Sequence, residues 1–183
     1  TIARTIAARL HDYGGVAWCL ESPAEFVLEG RHGKGRCWQR ELEQGEYAQV
    51  MRDVMRRYPV RESGILSVGE VHDQETADHC LQAASNGLLV IATIHAKDVE
   101  MTIERILNIC SETKQEAFRA TLAMTLRLVV HQSRHSSGLV VFRSLWIGQP
   151  SQAYSAIRDG RSDLLGTDIQ YQQNRRKSGD PVC

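Results

Sequence analysis

Short apolar runs alternate along this chain with segments in which apolar residues recur every three or four positions. The runs predict buried strands, and the wider spacing predicts helices with one buried face. The predicted strands comprise residues 16–20, 65–68 and 88–94. Helices are predicted before, between and after these strands. Strands that alternate with helices form a mostly parallel sheet flanked by helices, so the sequence predicts an α/β fold.

Capping residues and glycines predict where several elements begin and end. Asp73 and Asp98 each precede an amphipathic segment, at the position where a carboxylate caps a helix. Gly14 is expected to end the first helix. The glycine-rich stretch 29–36 predicts the tip of a hairpin, and a charged helix is predicted from about residue 46 to 58.

The last third of the chain predicts a different arrangement. Two apolar arms, residues 128–131 and 139–146, flank a turn-rich segment and predict a β-hairpin. A short helix to about Arg158 follows, and then a polar tail that we expect to be solvated or disordered. We therefore predict one domain over residues 1–148, followed by a C-terminal helix and tail over residues 149–183.

Composition and charge exclude several classes of function. The 183 residues are 42% hydrophobic and 24% charged, as in a soluble globular protein. Because 22 basic residues balance 22 acidic ones and only 6% are aromatic, we expect no direct nucleic-acid ligand. No apolar run approaches the roughly 20 residues that cross a bilayer, so direct membrane insertion is not expected. The scattered cysteines favour free thiols. A cytoplasmic protein is expected.

Polar residues follow each of the three predicted parallel strands. Glu21, Glu70 and His95 come directly after these strands or within two residues of them. Any one of them alone is more typical of a solvated loop charge or a structural histidine. The carboxyl ends of parallel strands meet at one edge of a sheet, so we expect these side chains to point into the same crevice. Two acids and a histidine there suit a magnesium ion, an activated water and a phosphate.

A cluster of motifs in this order resembles the secretion ATPases, which drive type II secretion, type IV pilus extension and retraction, and type IV secretion. Residues 21–26 resemble the family's Asp box, and residues 64–76, GILSVGEVHDQET, resemble its Walker B segment. Residues 93–96 resemble its His box. Further matching segments are Gln39-Arg40-Glu41, Met51-Arg52 with Met55-Arg56, and Ala83-Ala84 with Asn86-Gly87. Order and spacing agree over roughly residues 1–148.

The resemblance implies a RecA-like P-loop NTPase core that uses ATP and Mg²⁺. It further implies an ATP-hydrolysing motor that works as a homo-hexamer. Its partners would be inner-membrane secretion or pilus platform proteins, through which it would lie at the membrane without inserting into it. The transported substrate would depend on the secretion, conjugation or pilus system.

Site roles follow from the same resemblance. Glu21 would polarise the attacking water as a general base, and Glu70 would hold the magnesium shell or assist that water. His95 would contact the γ-phosphate side. Arg52 and Arg56, four residues apart on one helical face, would bind nucleotide charge or bridge to an adjacent subunit. Their spacing is equally typical of a solvated charged helix.

The phosphate-binding loop of such enzymes is not found in the printed sequence, which contains no GxxxxGK[ST] pattern. The resemblance implies that this loop lies immediately before the first helix. Thr1 would then be the magnesium-binding threonine of that loop or its neighbour. We list Thr1 with the candidate nucleotide-binding residues.

Three departures from the family pattern bear on function. Ser22 stands where the Asp box usually has Asp, a variant closer to the Dot/Icm and plasmid-conjugation branch. His72 stands where an Arg usually follows the Walker B glutamate. Residues 60–63 lengthen the link between the arginine helix and the Walker B strand.

Two functions from different classes remain open at this point. The first is the ATP-hydrolysing motor domain. The alternative is an assembly or regulatory module that keeps the fold and binds ring partners but turns over no ATP, since backbone amides and a lysine of the missing loop supply most of the triphosphate affinity.

Overall fold

A computed structural model describes residues 2–43, 45–57, 64–148 and 151–178. The chain divides into two compact units, Thr1–Ile94 and His95–Cys183. Each unit has its own sheet and its own buried residues. Within the described ranges, no helix has the length and apolar character needed to span a membrane.

The first unit is built on a five-stranded sheet in the order β2-β3-β1-β4-β5. Its strands are β1 (Gly15–Glu21), β2 (Gly30–His32), β3 (Gly35–Glu41), β4 (Gly64–Val68) and β5 (Leu89–Ala92). The pairs β3–β1, β1–β4 and β4–β5 are parallel, whereas β2 pairs with β3 as an antiparallel hairpin. The predicted mostly parallel sheet and the predicted hairpin tip are confirmed.

Three helices belong to this unit: α1 (Ile2–Tyr13), α2 (Tyr47–Arg57) and α3 (Gln74–Ser85). Ile6 and Leu10 of α1 are buried in a cluster with residues of β1, β3 and β4. Gly35 permits this packing, because a Cβ there would lie 2.8 Å from the carbonyl oxygen of Gly15 and 3.0 Å from Leu10. The position of α1 against the sheet therefore depends on a residue without a side chain.

The predicted helix caps are confirmed in both units. The Asp73 carboxylate accepts a hydrogen bond from the Thr76 amide, and Asp98 accepts one from the Met101 amide, each at 2.8 Å. These bonds satisfy amides that the first turn of a helix leaves without intrahelical partners. In the first unit this cap fixes where α3 begins, with five residues between the end of β4 and the start of the helix.

The second unit combines helices with a two-stranded antiparallel hairpin. Its elements are α4 (Val99–Asn108), a 3₁₀ turn (Glu112–Lys114), α5 (Gln115–Thr125), β6 (Leu128–Arg134), β7 (Val140–Trp146), α6 (Gln152–Asp159), a 3₁₀ turn (Ser162–Leu164) and α7 (Leu165–Lys177). The predicted terminal hairpin is confirmed. Ile103, Leu145 and Ile157 are among its fully buried side chains.

The structure differs from the sequence analysis in the region expected to be a polar tail. Helix α7 occupies it, with Leu165 and Ile169 completely buried. The buried Gln172 side chain accepts a hydrogen bond from the Trp146 amide and donates one to its carbonyl, both at 2.9 Å. Two buried apolar residues four positions apart and one paired amide thus hold an otherwise polar helix against the rest of the second unit.

Candidate active site

Glu21 and Glu70 lie at the carboxyl ends of neighbouring parallel strands, as the sequence predicts. Leu20 of β1 pairs with Val68 of β4, and the Gly69 amide donates to the Leu20 carbonyl at 2.7 Å. A Cβ at Gly69 would lie 3.1 Å from the Glu21 Cα, so glycine allows this close approach. The two chain segments that carry the carboxylates are thus held side by side.

The Glu21 carboxylate is held by a side chain from the next strand. Gln39 of β3 donates from Nε2 to Glu21 Oε2 at 2.6 Å. The same nitrogen donates to the carbonyl of Phe26 at 2.7 Å, in the loop that follows β1. The sequence analysis names Gln39 only as part of a motif and gives it no role.

Tyr47, the first residue of α2, lies close to both carboxylates and is absent from the predicted site. Burial, then the negative charges of Glu21 and Glu70, raise the pKa of its hydroxyl above the usual range. Tyr47 is therefore a neutral phenol near physiological pH. Tyr47 follows a charged stretch and belongs to no apolar run or motif, so the sequence does not predict that it lies at the site.

A cavity of about 420 Å³ opens beside Tyr47 and Glu70. Ser22, Tyr47, Glu70 and Thr76 are among the residues that line it. The Glu70 side chain is 23% exposed, and its Oε2 lies 3.2 Å from Nε2 of His72. The departure at position 72 therefore places an imidazole, rather than a guanidinium, next to the Walker B carboxylate.

The chemistry of this cavity fits Mg²⁺ that arrives with a phosphate ligand. Glu70, Ser22 and Thr76 are among its lining residues, and each has a side chain with oxygen atoms, the kind of donor that Mg²⁺ prefers. Among the described residues, no group of three or more His, Cys, Asp and Glu side chains is arranged to hold a metal ion. Mg²⁺ usually binds proteins through one or two carboxylates and completes its shell with waters and substrate phosphates.

The two predicted arginines have different surroundings. Arg52 donates from Nη1 to the Glu75 carboxylate of α3 at 3.1 Å and from Nη2 to Gln49 at 2.9 Å. Arg56, one turn further along α2, is exposed. Arg52 thus links α2 to the helix that follows the Glu70 segment. Glu75, its partner, is not among the predicted site residues.

Two other candidates are not described together with Glu21 and Glu70. His95 belongs to the second unit, where it is exposed in the segment before α4. Thr1 lies outside the described residues, as does the link at residues 60–63.

Comparison with known proteins agrees with the motifs. The family profile described as "Type II/IV secretion system protein" matches residues 10–157. The type IV pilus retractation ATPase PilT of Pseudomonas aeruginosa is 30% identical over 159 residues, which cover 78% of this chain and 44% of PilT. A twitching motility protein of Neisseria gonorrhoeae is 28% identical over 160 residues, covering 84% of this chain and 41% of that protein.

Solved structures share the fold. The pilus retraction motor PilT with bound ADP superposes with a TM-score of 0.78 at 26% identity, over 93% of this chain and 49% of that one. The Legionella pneumophila ATPase DotB gives 0.74 at 20% identity, over 92% and 49% of the two chains. The chain spans about half the length of the relatives it matches. With a family match over most of its residues, the chain belongs to the type II/IV secretion system protein family.

Proposed function

We propose that this chain is the nucleotide-hydrolysing part of a motor that powers type IV secretion, conjugation, or type IV pilus assembly or retraction. The observation that carries the proposal is the position of Glu21 and Glu70 on neighbouring strand ends, with Glu70 lining a cavity. The names of the relatives support it, because PilT is described as a pilus retractation ATPase and DotB as an ATPase.

In this proposal the two carboxylates have separate tasks. Glu21 accepts a proton from the attacking water, and Glu70 holds the magnesium shell. ATP with Mg²⁺ supplies the phosphoryl group that is transferred to water. His95 contacts the γ-phosphate side, Thr1 belongs to the nucleotide site, and Arg52 is one of two arginines that act on nucleotide charge.

The remaining features of the motor follow from family membership. We propose a homo-hexamer whose sites are completed at subunit boundaries, bound to inner-membrane platform proteins from the cytoplasmic side. We also propose that residues 1–148 act as one domain, a span supported by the family match, which runs from residue 10 to 157 through both compact units.

The test is Mg²⁺-dependent ATP turnover by the full-length gene product, including any residues that precede Thr1. Glu21→Gln and Glu70→Gln are each expected to lower kcat at least 100-fold, because a carboxamide neither accepts the proton nor neutralises the metal. Glu21→Gln should retain nucleotide binding. Glu104→Gln is the matched control, since Glu104 is exposed on α4, and it should retain wild-type turnover.

The outcomes separate the two classes of function. Turnover in the wild type and in Glu104→Gln, lost in both site variants, supports the motor. Folded wild-type protein that binds partners yet shows no turnover above background supports the assembly or regulatory module and contradicts the motor.

A further inference from the structure

Gln39 is placed by strand register to reach Glu21. It lies on β3 directly opposite Cys19 of β1, in parallel pairing. Glu21 follows Cys19 by two residues, so its side chain emerges from the same face of the sheet as Cys19 and Gln39. A long amide side chain on this face is thus adjacent to the carboxylate at the end of β1.

The Gln39 carboxamide uses its full hydrogen-bonding capacity. Its Nε2 donates to Glu21 Oε2 at 2.6 Å and to the Phe26 carbonyl at 2.7 Å. Its Oε1 accepts from the amides of Leu28 at 2.7 Å and Glu29 at 3.2 Å. A carboxamide offers two donors and two acceptor lone pairs, so no capacity is left over.

The donor or acceptor character of these partners determines which end of the carboxamide is the oxygen and which is the nitrogen. If the oxygen and nitrogen were exchanged, the nitrogen would face two N–H donors and the oxygen would face two acceptors. Rotation of the side chain therefore breaks four hydrogen bonds together. The Gln39 main chain adds a fifth contact, because its amide donates to the Glu29 carboxylate at 2.6 Å.

Three of the four side-chain partners are main-chain groups of one segment, the loop of residues 22–29 that follows β1. The fourth is the Glu21 carboxylate itself. Gln39 thus joins the loop and the carboxylate through a single planar group. The loop therefore holds the donor to Glu21 in place.

We propose that Gln39 is a positioning residue for Glu21, which orients this carboxylate toward its water through a carboxamide that the loop of residues 22–29 holds in place. This role rests on the proposed function of Glu21 as the base. Gln39 touches neither nucleotide nor water in this role and acts only through Glu21. A small displacement of a reacting group is enough to lower a rate constant about 100-fold.

Two substitutions separate the carboxylate contact from the loop contact. Gln39→Glu keeps the oxygen that accepts from the Leu28 and Glu29 amides, but replaces the donor to Glu21 with a second carboxylate oxygen. Glu29→Ala removes the contact with the Gln39 main chain and leaves the Gln39–Glu21 bond in place. Gln82→Ala, at an exposed position on α3, is the control for loss of a glutamine side chain.

In the full-length protein we expect Gln39→Glu to lower kcat by about 10- to 100-fold, with KM within about threefold of wild type. Hydrogen exchange at the Leu28 and Glu29 amides should remain slow in this variant. Gln39→Ala should lose both kcat and the slow exchange. Glu29→Ala and Gln82→Ala should keep kcat within about threefold of wild type, and nucleotide affinity reports that each variant is folded.

Several outcomes would overturn the role of Gln39. One is wild-type turnover that persists in Gln39→Glu. Another is Glu29→Ala and Gln39→Glu losing kcat equally, since Gln39 would then merely support the loop. Unchanged exchange at Leu28 and Glu29 in Gln39→Ala would remove the contact on which the inference stands. Absence of turnover in the wild type, by contrast, contradicts the proposed function itself.

Discussion

The residues near Glu21 come from distant parts of the chain. Gln39 is 18 positions from Glu21 in sequence, and Tyr47 begins the helix after β3. The sequence analysis places both carboxylates at strand ends, because that position depends only on where an apolar run stops. The sequence does not predict that Gln39 and Tyr47 lie near Glu21, because their positions depend on strand pairing and on the path of a loop.

Cys80 provides a test of burial at the residue scale. Burial, and then the charge of Asp73, raise the pKa of its thiol to about 12 from an ordinary value of 9.0. Below pH 9 the thiol is protonated in both folded and unfolded chains, so it adds no pH dependence. Above pH 9 the unfolded thiol ionises first, and the free energy of unfolding should fall by up to about 1.4 kcal/mol per pH unit until about pH 12.

The measurement is urea unfolding of wild type and Cys80→Ala between pH 7 and 10.5. Cys80→Ala costs stability at every pH because it removes a buried side chain, but the difference from wild type should shrink above pH 9. Tyr47 and Cys19 are present in both proteins, so the effects of their raised pKa values cancel. Parallel pH curves for the two proteins would rule out the raised thiol pKa.

At the scale of elements, α1 offers a matched pair of isoleucines. Ile6 is 1% exposed in the core of the first unit, whereas Ile2, one turn earlier on the same helix, is 37% exposed. We expect Ile6→Ala to lower the free energy of unfolding by about 2–5 kcal/mol, since it leaves a cavity. Ile2→Ala should cost less than about 1 kcal/mol. Equal losses in urea unfolding would contradict the position of α1.

The cap of α4 is a second test at this scale. Asp98→Ala removes the acceptor for the Met101 amide and should cost about 1 kcal/mol in thermal or urea unfolding. Asp98→Asn keeps an oxygen at the same position, so it should cost only a fraction of that. If the two variants are equally destabilised, the loss comes from the charge of Asp98 rather than from its hydrogen bond.

Elements differ in how well the sequence predicts them, for a physical reason. Caps such as Asp73 depend on contacts within three residues, and both predicted caps are confirmed. Helix α7 is missed because its stability comes from Leu165, Ile169 and one paired glutamine against distant residues. Residues 165–177 are polar on average, although three positions among them are buried by tertiary packing.

At the scale of the whole molecule, the proposed site residues are divided between the two compact units. The first unit holds Glu21, Glu70 and the arginine helix, and the second holds His95. The family match runs through both. The chain covers 44% of the length of PilT.

The proposed hexamer makes a prediction about dilution. If each site is completed by a neighbouring subunit, the full-length protein should lose ATP turnover per subunit as its concentration falls below the dissociation constant of the ring. Sedimentation at the same concentrations should show rings dissociating over the same range. Glu70→Gln should form rings with the same dissociation profile but remain at background turnover throughout, because its defect is chemical. Constant turnover per subunit in a preparation that sediments as monomers would contradict shared sites while leaving the ATPase activity itself intact.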